Sequence, residues 1–253
     1  FDGFRTSHEI QKVAQWDYED LKEMVDMDAV QEFRARALNP EHPVLRGTAQ
    51  NPDIFFQARE ACNPYYEAIP GIVEEYMNKV NEKIGTNYQL FNYYGAADAE
   101  HVIVAMGSVC DTIEEVIDYK MAHGEKVGLL KVRLYRPFVA EKFAAALPES
   151  VKTISVLDRT KEPGSLGEPL YLDVVAALQQ AGRNIDVIGG RYGLGSKDTP
   201  SSNIFAVYDN MNSKDMKRKF TIGINDDVTE LSLKDPENAP DTPPEGTNLQ
   251  SIR

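Results

Sequence analysis

The sequence predicts an α/β protein in which a doubly wound parallel sheet follows a mainly helical connecting segment. Between residues 98 and 210, short apolar runs alternate with amphipathic stretches at intervals of about 25 to 32 residues, the period of repeated βα units. The apolar runs are continuous, as in parallel strands that are buried on both faces. The chain before them carries helical spacing and loop signals instead.

In this first part of the chain, helices are predicted over 17–25, 28–38 and 72–84. The first two begin with Asp17 and Asp28, whose side chains can accept the first free backbone N–H groups. The third carries apolar residues at helical spacing and stops at Gly85, a residue suited to a helix end. The stretch 44–64 is rich in Pro, Asn and Gly, and is therefore expected to be a loop that packs across a surface.

In the α/β part, parallel strands are predicted over 102–106, 127–134, 153–157 and 185–188, with a further strand over 220–224. One helix between them is expected to begin at Asp111 or Thr112 and to end at Gly124. A second helix carries an apolar stripe from Leu170 and ends at Gly182. His123 directly precedes the first helix end, where a cation favours the helix dipole, and is interpreted as a cap.

The acidic tail differs in composition. Between residues 226 and 245 there are seven acidic residues, one Lys and four prolines, so this segment supplies −6 of the net charge of −13. Such a composition is typical of a linker that does not pack a core.

The overall composition excludes several classes of protein. A chain of 253 residues corresponds to one or two domains, and a net charge of −13 would repel nucleic acid. No apolar run approaches the roughly 20 residues of a membrane span. Cys62 and Cys110 are the only cysteines, too few for an iron–sulfur cluster or a Cys-rich zinc site. They favour a reducing cytoplasm, and the start at Phe1 suggests a piece of something longer.

Ligands of doubly wound sheets bind at the carboxyl ends of the strands, and the most charged loop there is 158–167. Its polar residues are Asp158, Arg159, Thr160, Lys161 and Glu162. We interpret them as interface candidates that serve domain or subunit contacts, with an anion contact as another functional reading. The structural alternative is a loop whose charges pair locally and cap its own helix.

A second loop, 189–197, contains four glycines but matches neither common phosphate-binding pattern. Arg191 and Lys197 are its weak candidates for contact with a phosphate. No residue is predicted to be catalytic or to bind a metal; Ser7 and His8 are adjacent, which rarely gives a nucleophile and base in bonding geometry. The basic cluster 214–219 is interpreted as a solvated face.

Six strings in order resemble the pyruvate:ferredoxin (flavodoxin) oxidoreductase family over residues 1 to about 247: GFRTSHE, ALNPEHPVLRGTAQNPDIFFQ, DAEHVIVAMGS, KVRLYRPF, LDRTKEPGSLGEPLYLDV and GGRYGLGSKD. The resemblance implies a cytoplasmic homodimeric enzyme that decarboxylates pyruvate oxidatively and forms acetyl-CoA. It implies thiamine diphosphate, Mg²⁺ and [4Fe–4S] clusters as cofactors, and ferredoxin or flavodoxin as electron acceptor.

The resemblance also implies a domain division. Residues 1–25 correspond to the end of a thiamine-contacting domain I, 26–93 to a helical connection, 94–212 to a domain II similar to the C-terminal domain of transketolases, and 213–253 to the start of domain III and an acidic linker. The thiamine-diphosphate motif, Gly-Asp-Gly followed by Asn-Asn, is absent from the sequence. We therefore expect a mainly architectural and, in isolation, inactive segment; the alternative is a stand-alone nucleotide- or CoA-binding module that uses loop 189–195.

Overall fold

The computed structural model describes residues 13–44, 47–240 and 242. Contacts divide the described residues into two compact units, one up to Gln89 and one from Leu90 onward. Ser7 and His8, which were not expected to form a catalytic pair, lie outside the described residues. The domain boundaries expected at 25/26, 93/94 and 212/213 stay predictions.

The described part of the first unit contains four helices, α1 (Tyr18–Lys22), α2 (Met27–Ala35), α3 (Pro52–Glu60) and α4 (Asn63–Ile84). Asp17 caps α1 as predicted, because its side chain accepts the backbone N–H of Asp20 at 2.9 Å. Asp26 caps α2 in place of the predicted Asp28. Gly85 ends α4 in the left-handed conformation, with φ at 69°.

The predicted loop over 44–64 is wrong for most of its length, since α3 and the start of α4 lie within it. Pro52 and Pro64 occupy first-turn positions of these helices. Backbone N–H groups in the first turn have no acceptor within the helix, so proline, which lacks this group, is tolerated there. These prolines therefore mark helix starts and not a break. The helix predicted over 72–84 accordingly begins earlier, at Asn63.

The second unit is built on a six-stranded sheet with the strands β1 (Phe91–Gly95), β2 (His101–Ala105), β3 (Val127–Val132), β4 (Thr153–Asp158), β5 (Asp186–Arg191) and β6 (Lys219–Thr221). Their order across the sheet is β1-β3-β2-β4-β5-β6. All neighbours pair in parallel except β1, which runs antiparallel to β3. The α/β prediction is confirmed, and the five parallel strands have the 2-1-3-4-5 order of a doubly wound sheet.

Four helices accompany these strands, α5 (Val109–Ala122), α6 (Ala140–Ala145), α7 (Pro169–Gln180) and α8 (Ser201–Asn212). Helices α5 and α8 pack together, as do α6 and α7. Helix α5 begins at Val109 and not at the predicted Asp111 or Thr112. His123 follows its last turn, where Nδ1 lies 2.7 Å from the carbonyl oxygen of Tyr119, in agreement with a role as a cap.

The core lies between the sheet and the pair α5 and α8. It includes strand residues such as Ile103, Leu129 and Ile188, helix residues such as Ile113, and the fully buried Tyr208. The Tyr208 hydroxyl donates to the carbonyl oxygen of Gly128 at 3.0 Å, which satisfies its polar atom inside the core. The sheet unit therefore has a hydrophobic core of its own.

The expectation that the acidic tail does not pack is wrong for its first part. Leu233 is only 9% exposed and belongs to the core cluster. Its backbone N–H donates to the carbonyl oxygen of Thr221 at 2.9 Å. The Asp235 carboxylate accepts hydrogen bonds from Ser202 at 2.8 Å and Asn203 at 2.7 Å, and so holds the tail to the first turn of α8.

The basic cluster 214–219 is also not merely a solvated face. The Lys217 ammonium donates to the carbonyl oxygens of Glu230 and Ser232 at 2.6 and 2.9 Å. The Arg218 guanidinium forms two hydrogen bonds to Asp186, at 2.9 and 2.5 Å. Two of the cluster's four cations therefore fix the tail and β5 in place.

Among the described residues, no helix is both long enough and apolar enough to cross a membrane.

Candidate functional site at the carboxyl edge of the sheet

The strand order reverses between β2 and β4, so their carboxyl ends form the position where doubly wound sheets bind ligands. A crevice at this position is lined by Ser108, Val109, Thr112, Arg159, Tyr192, Gly193, Lys197 and Thr199. Its volume is about 20 Å³, which is space for a water molecule and little more. The structure thus brings Arg159 and Lys197, predicted in separate loops, to one crevice.

Asp158 ends β4 and is almost fully buried. Its carboxylate accepts the backbone N–H groups of Leu170 at 2.9 Å and Tyr171 at 3.1 Å, in the first turn of α7. Burial raises the pKa of Asp158, and the two backbone hydrogen bonds oppose that rise. The side chain therefore caps the next helix, as the structural alternative for this loop predicted.

The structural alternative also expected the loop's other charges to pair within the loop, but Arg159 reaches outside it. The Arg159 Nε–H donates to the carbonyl oxygen of Gly193 at 2.9 Å, which joins this loop to the glycine-rich loop. Thr160 is half-buried, whereas Lys161 and Glu162 are exposed. The Glu162 backbone N–H donates to the carboxylate of Glu168 at 2.6 Å, so this loop is held mainly through its backbone.

The glycine-rich loop predicted over 189–197 is shorter than expected, because residues 189–191 belong to β5 and the turn begins after Arg191. Gly193, Gly195 and Ser196 all have positive φ, between 61° and 65°, a conformation that glycine adopts without strain and serine does not. The turn leaves Lys197 exposed. Arg191, the other predicted phosphate contact, lies 3.5 Å from the carboxylate of Glu168.

Two larger cavities flank Arg191. One of about 90 Å³ lies between loop 161–168 and the ends of β5 and β6. The other, of about 190 Å³, is mostly apolar and is lined by loop 191–197 and by residues 221–231. Lys161 and Arg191 line both cavities, so two of the predicted residues form their common wall.

Sequence reasoning missed three residues of this edge. Glu168, Tyr171 and Lys219 all line the 90 Å³ cavity, yet Lys219 was assigned to a solvated face. The available signal was the strand predicted over 220–224: pairing it with the end of β5 places Lys219 opposite Gly189, as observed.

The carboxyl edge presents charged side chains and backbone groups that can contact a partner or ligand. Within the part of the chain that the structure describes, no group of three His, Cys, Asp or Glu side chains could hold a metal ion. The edge instead offers exposed cations, a buried helix cap and backbone groups. These features suit recognition of a charged partner or ligand.

Two family models match this chain. One is described as "Pyruvate:ferredoxin oxidoreductase core domain II" and matches residues 99–204. The other is described as "Pyruvate flavodoxin/ferredoxin oxidoreductase, thiamine diP-bdg" and matches residues 1–78. The first match covers most of the sheet unit, including both loops described above.

Curated relatives match nearly the whole chain. A pyruvate:ferredoxin oxidoreductase from Moorella thermoacetica is 61% identical over 247 residues, covering 98% of this chain and 21% of the relative. A pyruvate-flavodoxin oxidoreductase from Enterobacter agglomerans is 56% identical, with the same coverage. The chain thus spans about a fifth of the length of these relatives. The resemblance predicted from the six strings is confirmed.

A solved 2-oxoglutarate:ferredoxin oxidoreductase from Magnetococcus marinus aligns with 51% of this chain and 21% of its own, at 17% identity and a TM-score of 0.35.

The thiamine-diphosphate description of the second family match can be compared with the residues present. Of its range, the structure describes 13–44 and 47–78. No side chain of a described helix there is buried, and the described residues form no cluster of metal ligands. The absence of a cofactor site from this segment stays a prediction, and no catalytic step is assigned to these residues.

Proposed function

This chain belongs to the pyruvate:ferredoxin (flavodoxin) oxidoreductase family, and on that premise we propose that it is an architectural segment of such an enzyme. In this proposal the whole enzyme is a cytoplasmic homodimer that oxidises pyruvate to acetyl-CoA and reduces ferredoxin or flavodoxin. Other parts of it hold thiamine diphosphate, Mg²⁺ and the [4Fe–4S] clusters, and this segment supplies domain and subunit contacts.

One observation carries the proposal. None of the side chains in α1 to α4 is buried, although these helices carry many large apolar residues. The aromatic patch, defined here as Phe55, Phe56, Tyr65 and Tyr66 on α3 and α4, is between 52% and 79% exposed. Exposed aromatic groups of this size are typical of interfaces.

The occupant we propose for the aromatic patch is the remainder of the parent enzyme. The relatives are about five times as long as the matched segment, so most of their surface lies outside this chain. Helices without a fully buried side chain gain further stability when they pack against other parts of a protein. The sheet unit, in contrast, has its own core and can serve as a rigid base for the charged edge.

The alternative of a stand-alone nucleotide- or CoA-binding module stays a prediction. Nucleotide-dependent thermal stabilisation of the chain would favour it, since a ligand bound only by the native state raises the unfolding temperature.

The test of the architectural proposal compares one substitution in two contexts. Phe56→Ala in the isolated chain should change the free energy of unfolding by less than about 0.5 kcal/mol, because the side chain is exposed there. In a full-length family enzyme, the same substitution should cost about 2 kcal/mol or more, because the ring is then buried at an interface. Urea unfolding measures both values.

Glu32→Ala, at an exposed polar position of α2, is the matched control and should be near neutral in both contexts. If Phe56→Ala were also neutral in the full-length enzyme, the aromatic patch would face solvent there and the proposal would lose its main support.

A further inference from the structure

We propose that the 90 Å³ cavity between loop 161–168 and the ends of β5 and β6 binds a small oxyanion, a phosphate or a carboxylate group. The binding side chains are Arg191, Lys161 and Lys219, which line it from three different segments of the chain. This inference goes beyond the architectural role, since it assigns a ligand to the charged edge.

The first argument is the incomplete bonding of Arg191. Its side chain is only 14% exposed, and the described residues offer it one charged partner, Glu168, at 3.5 Å. A guanidinium carries five N–H donors in a fixed fork, and a single long contact leaves most of them to the two cavities that this side chain lines. A planar, bidentate acceptor such as a phosphate or carboxylate matches that geometry.

The second argument is the balance of charge around the cavity. Lys161 and Lys219 have no ion-pair partner among the residues that the structure describes. The acidic lining groups are Glu162 and Glu168, so three cations face two carboxylates and leave one excess positive charge. Glu168 already accepts the backbone N–H of Glu162 and lies against Arg191. In a chain whose net charge is −13, this local excess of positive charge favours an anion.

The third argument is the shape of the cavity. The Tyr171 ring lies against Gly167 and Gly189, where an added Cβ would overlap or crowd it. These two glycines therefore allow the ring to form one wall of the cavity. A volume of about 90 Å³ accommodates one phosphate or carboxylate group, and is well below the roughly 300 Å³ at which pockets for larger ligands begin.

The position in the fold agrees with this assignment. The cavity lies beside Arg191 at the carboxyl end of β5 and Lys219 at the start of β6, and the carboxyl ends of parallel strands are where doubly wound sheets place their ligands. Gly164 has open space where a Cβ would lie, so a ligand can approach the backbone closely at that position.

The experiment is a titration of the 253-residue chain with sodium phosphate and, separately, with sodium acetate, each compared with sodium chloride at equal ionic strength. We expect one of the two oxyanions to raise the unfolding temperature saturably beyond the effect of chloride. The salt that does so identifies the class of ligand, and calorimetry with the same salt gives its dissociation constant.

Arg191→Gln and Lys219→Gln should each weaken that binding at least tenfold. Lys219 is exposed, so its variant keeps the test valid if Arg191→Gln fails to fold. Lys214→Gln, at an exposed lysine outside the cavity, should bind as the unmodified chain does. Equal effects of all three salts, or equal losses in Lys219→Gln and Lys214→Gln, would overturn the proposal without touching the architectural role.

Discussion

Asp158 joins the end of β4 to the first turn of α7. Two backbone N–H groups of that turn have no acceptor within the helix, and the Asp158 carboxylate accepts both. The residue that follows it, Arg159, reaches across to the carbonyl oxygen of Gly193. Neighbouring residues of one loop thus hold two different segments of the carboxyl edge.

We expect Asp158→Ala to destabilise the sheet unit by about 1 to 3 kcal/mol, because two buried N–H groups lose their acceptor. Glu162→Ala is the control on the same loop; its side chain is exposed and its removal should change stability by less than about 0.5 kcal/mol. Urea unfolding near pH 7 measures both changes. Equal losses in the two variants would show that the capping contacts do not stabilise the fold.

The raised pKa of Asp158 adds a pH dependence to this prediction. Burial favours the protonated form in the native state, so the contribution of this titration to stability is fully present below the pKa of the unfolded chain and is lost as pH rises through the native value. The stability of the unmodified chain relative to Asp158→Asn should therefore fall as the pH rises above about 3.9, the ordinary pKa of Asp. A relative stability that rises with pH over this range would contradict the assigned shift.

At the scale of elements, the acidic tail adds a segment to the sheet unit. Ser232 pairs with Thr221 beside β6, Leu233 enters the core, and Asp235 accepts hydrogen bonds from two side chains at the start of α8. This helix follows Pro200 and has no capping hydrogen bond from its own N-cap side chain. Asp235 bonds side chains of this first turn, so it fastens the tail to α8 without acting as a backbone cap.

We expect Leu233→Ala to cost about 2 to 4 kcal/mol, as for other large-to-small substitutions in a core. Val228→Ala, only five residues earlier but 93% exposed, should stay within about 0.5 kcal/mol of the unmodified chain. Thermal or urea unfolding of both variants is the measurement. A near-neutral Leu233→Ala would show that this part of the tail is the unpacked linker that its composition predicts.

These elements explain why some of the fold could be predicted from sequence and some could not. Buried parallel strands such as 102–105 are continuous apolar runs, which the local sequence pattern detects. Leu233 is one apolar residue in an acidic, proline-containing segment, and only its long-range pairing with Thr221 buries it. Strand β1 was missed because FNYYG mixes polar and aromatic residues at the antiparallel edge of the sheet.

The candidate site could also be predicted only in part from the sequence. Strand ends and glycines located the loops of Asp158 and Arg191, because ligand loops follow parallel strands. The partners of these residues could not be predicted: Glu168 lies 23 positions from Arg191 in sequence, and Gly193 lies 34 positions from Arg159. Such pairs depend on how neighbouring strands align, which composition and periodicity do not determine.

At the scale of the whole molecule, the two units have opposite properties. The sheet unit has a core of its own and a charged edge, whereas the helices of the other unit bury no side chain. A chain that spans about a fifth of its relatives and has one self-sufficient unit and one apolar surface is suited to holding other parts of an enzyme in place. In our account those other parts carry out the chemistry.

The most direct test is single-turnover pyruvate decarboxylation by a full-length family enzyme carrying Arg159→Ala or Phe56→Ala. Arg159 is the demanding case, because it lines the crevice where this fold usually binds ligands. We predict altered assembly or thermal stability with a decarboxylation rate within about tenfold of the parent, a change of about 1.4 kcal/mol at most in the activation barrier. A thousandfold loss in the Arg159→Ala enzyme, with its quaternary structure intact, would place this segment in the active site and contradict the account.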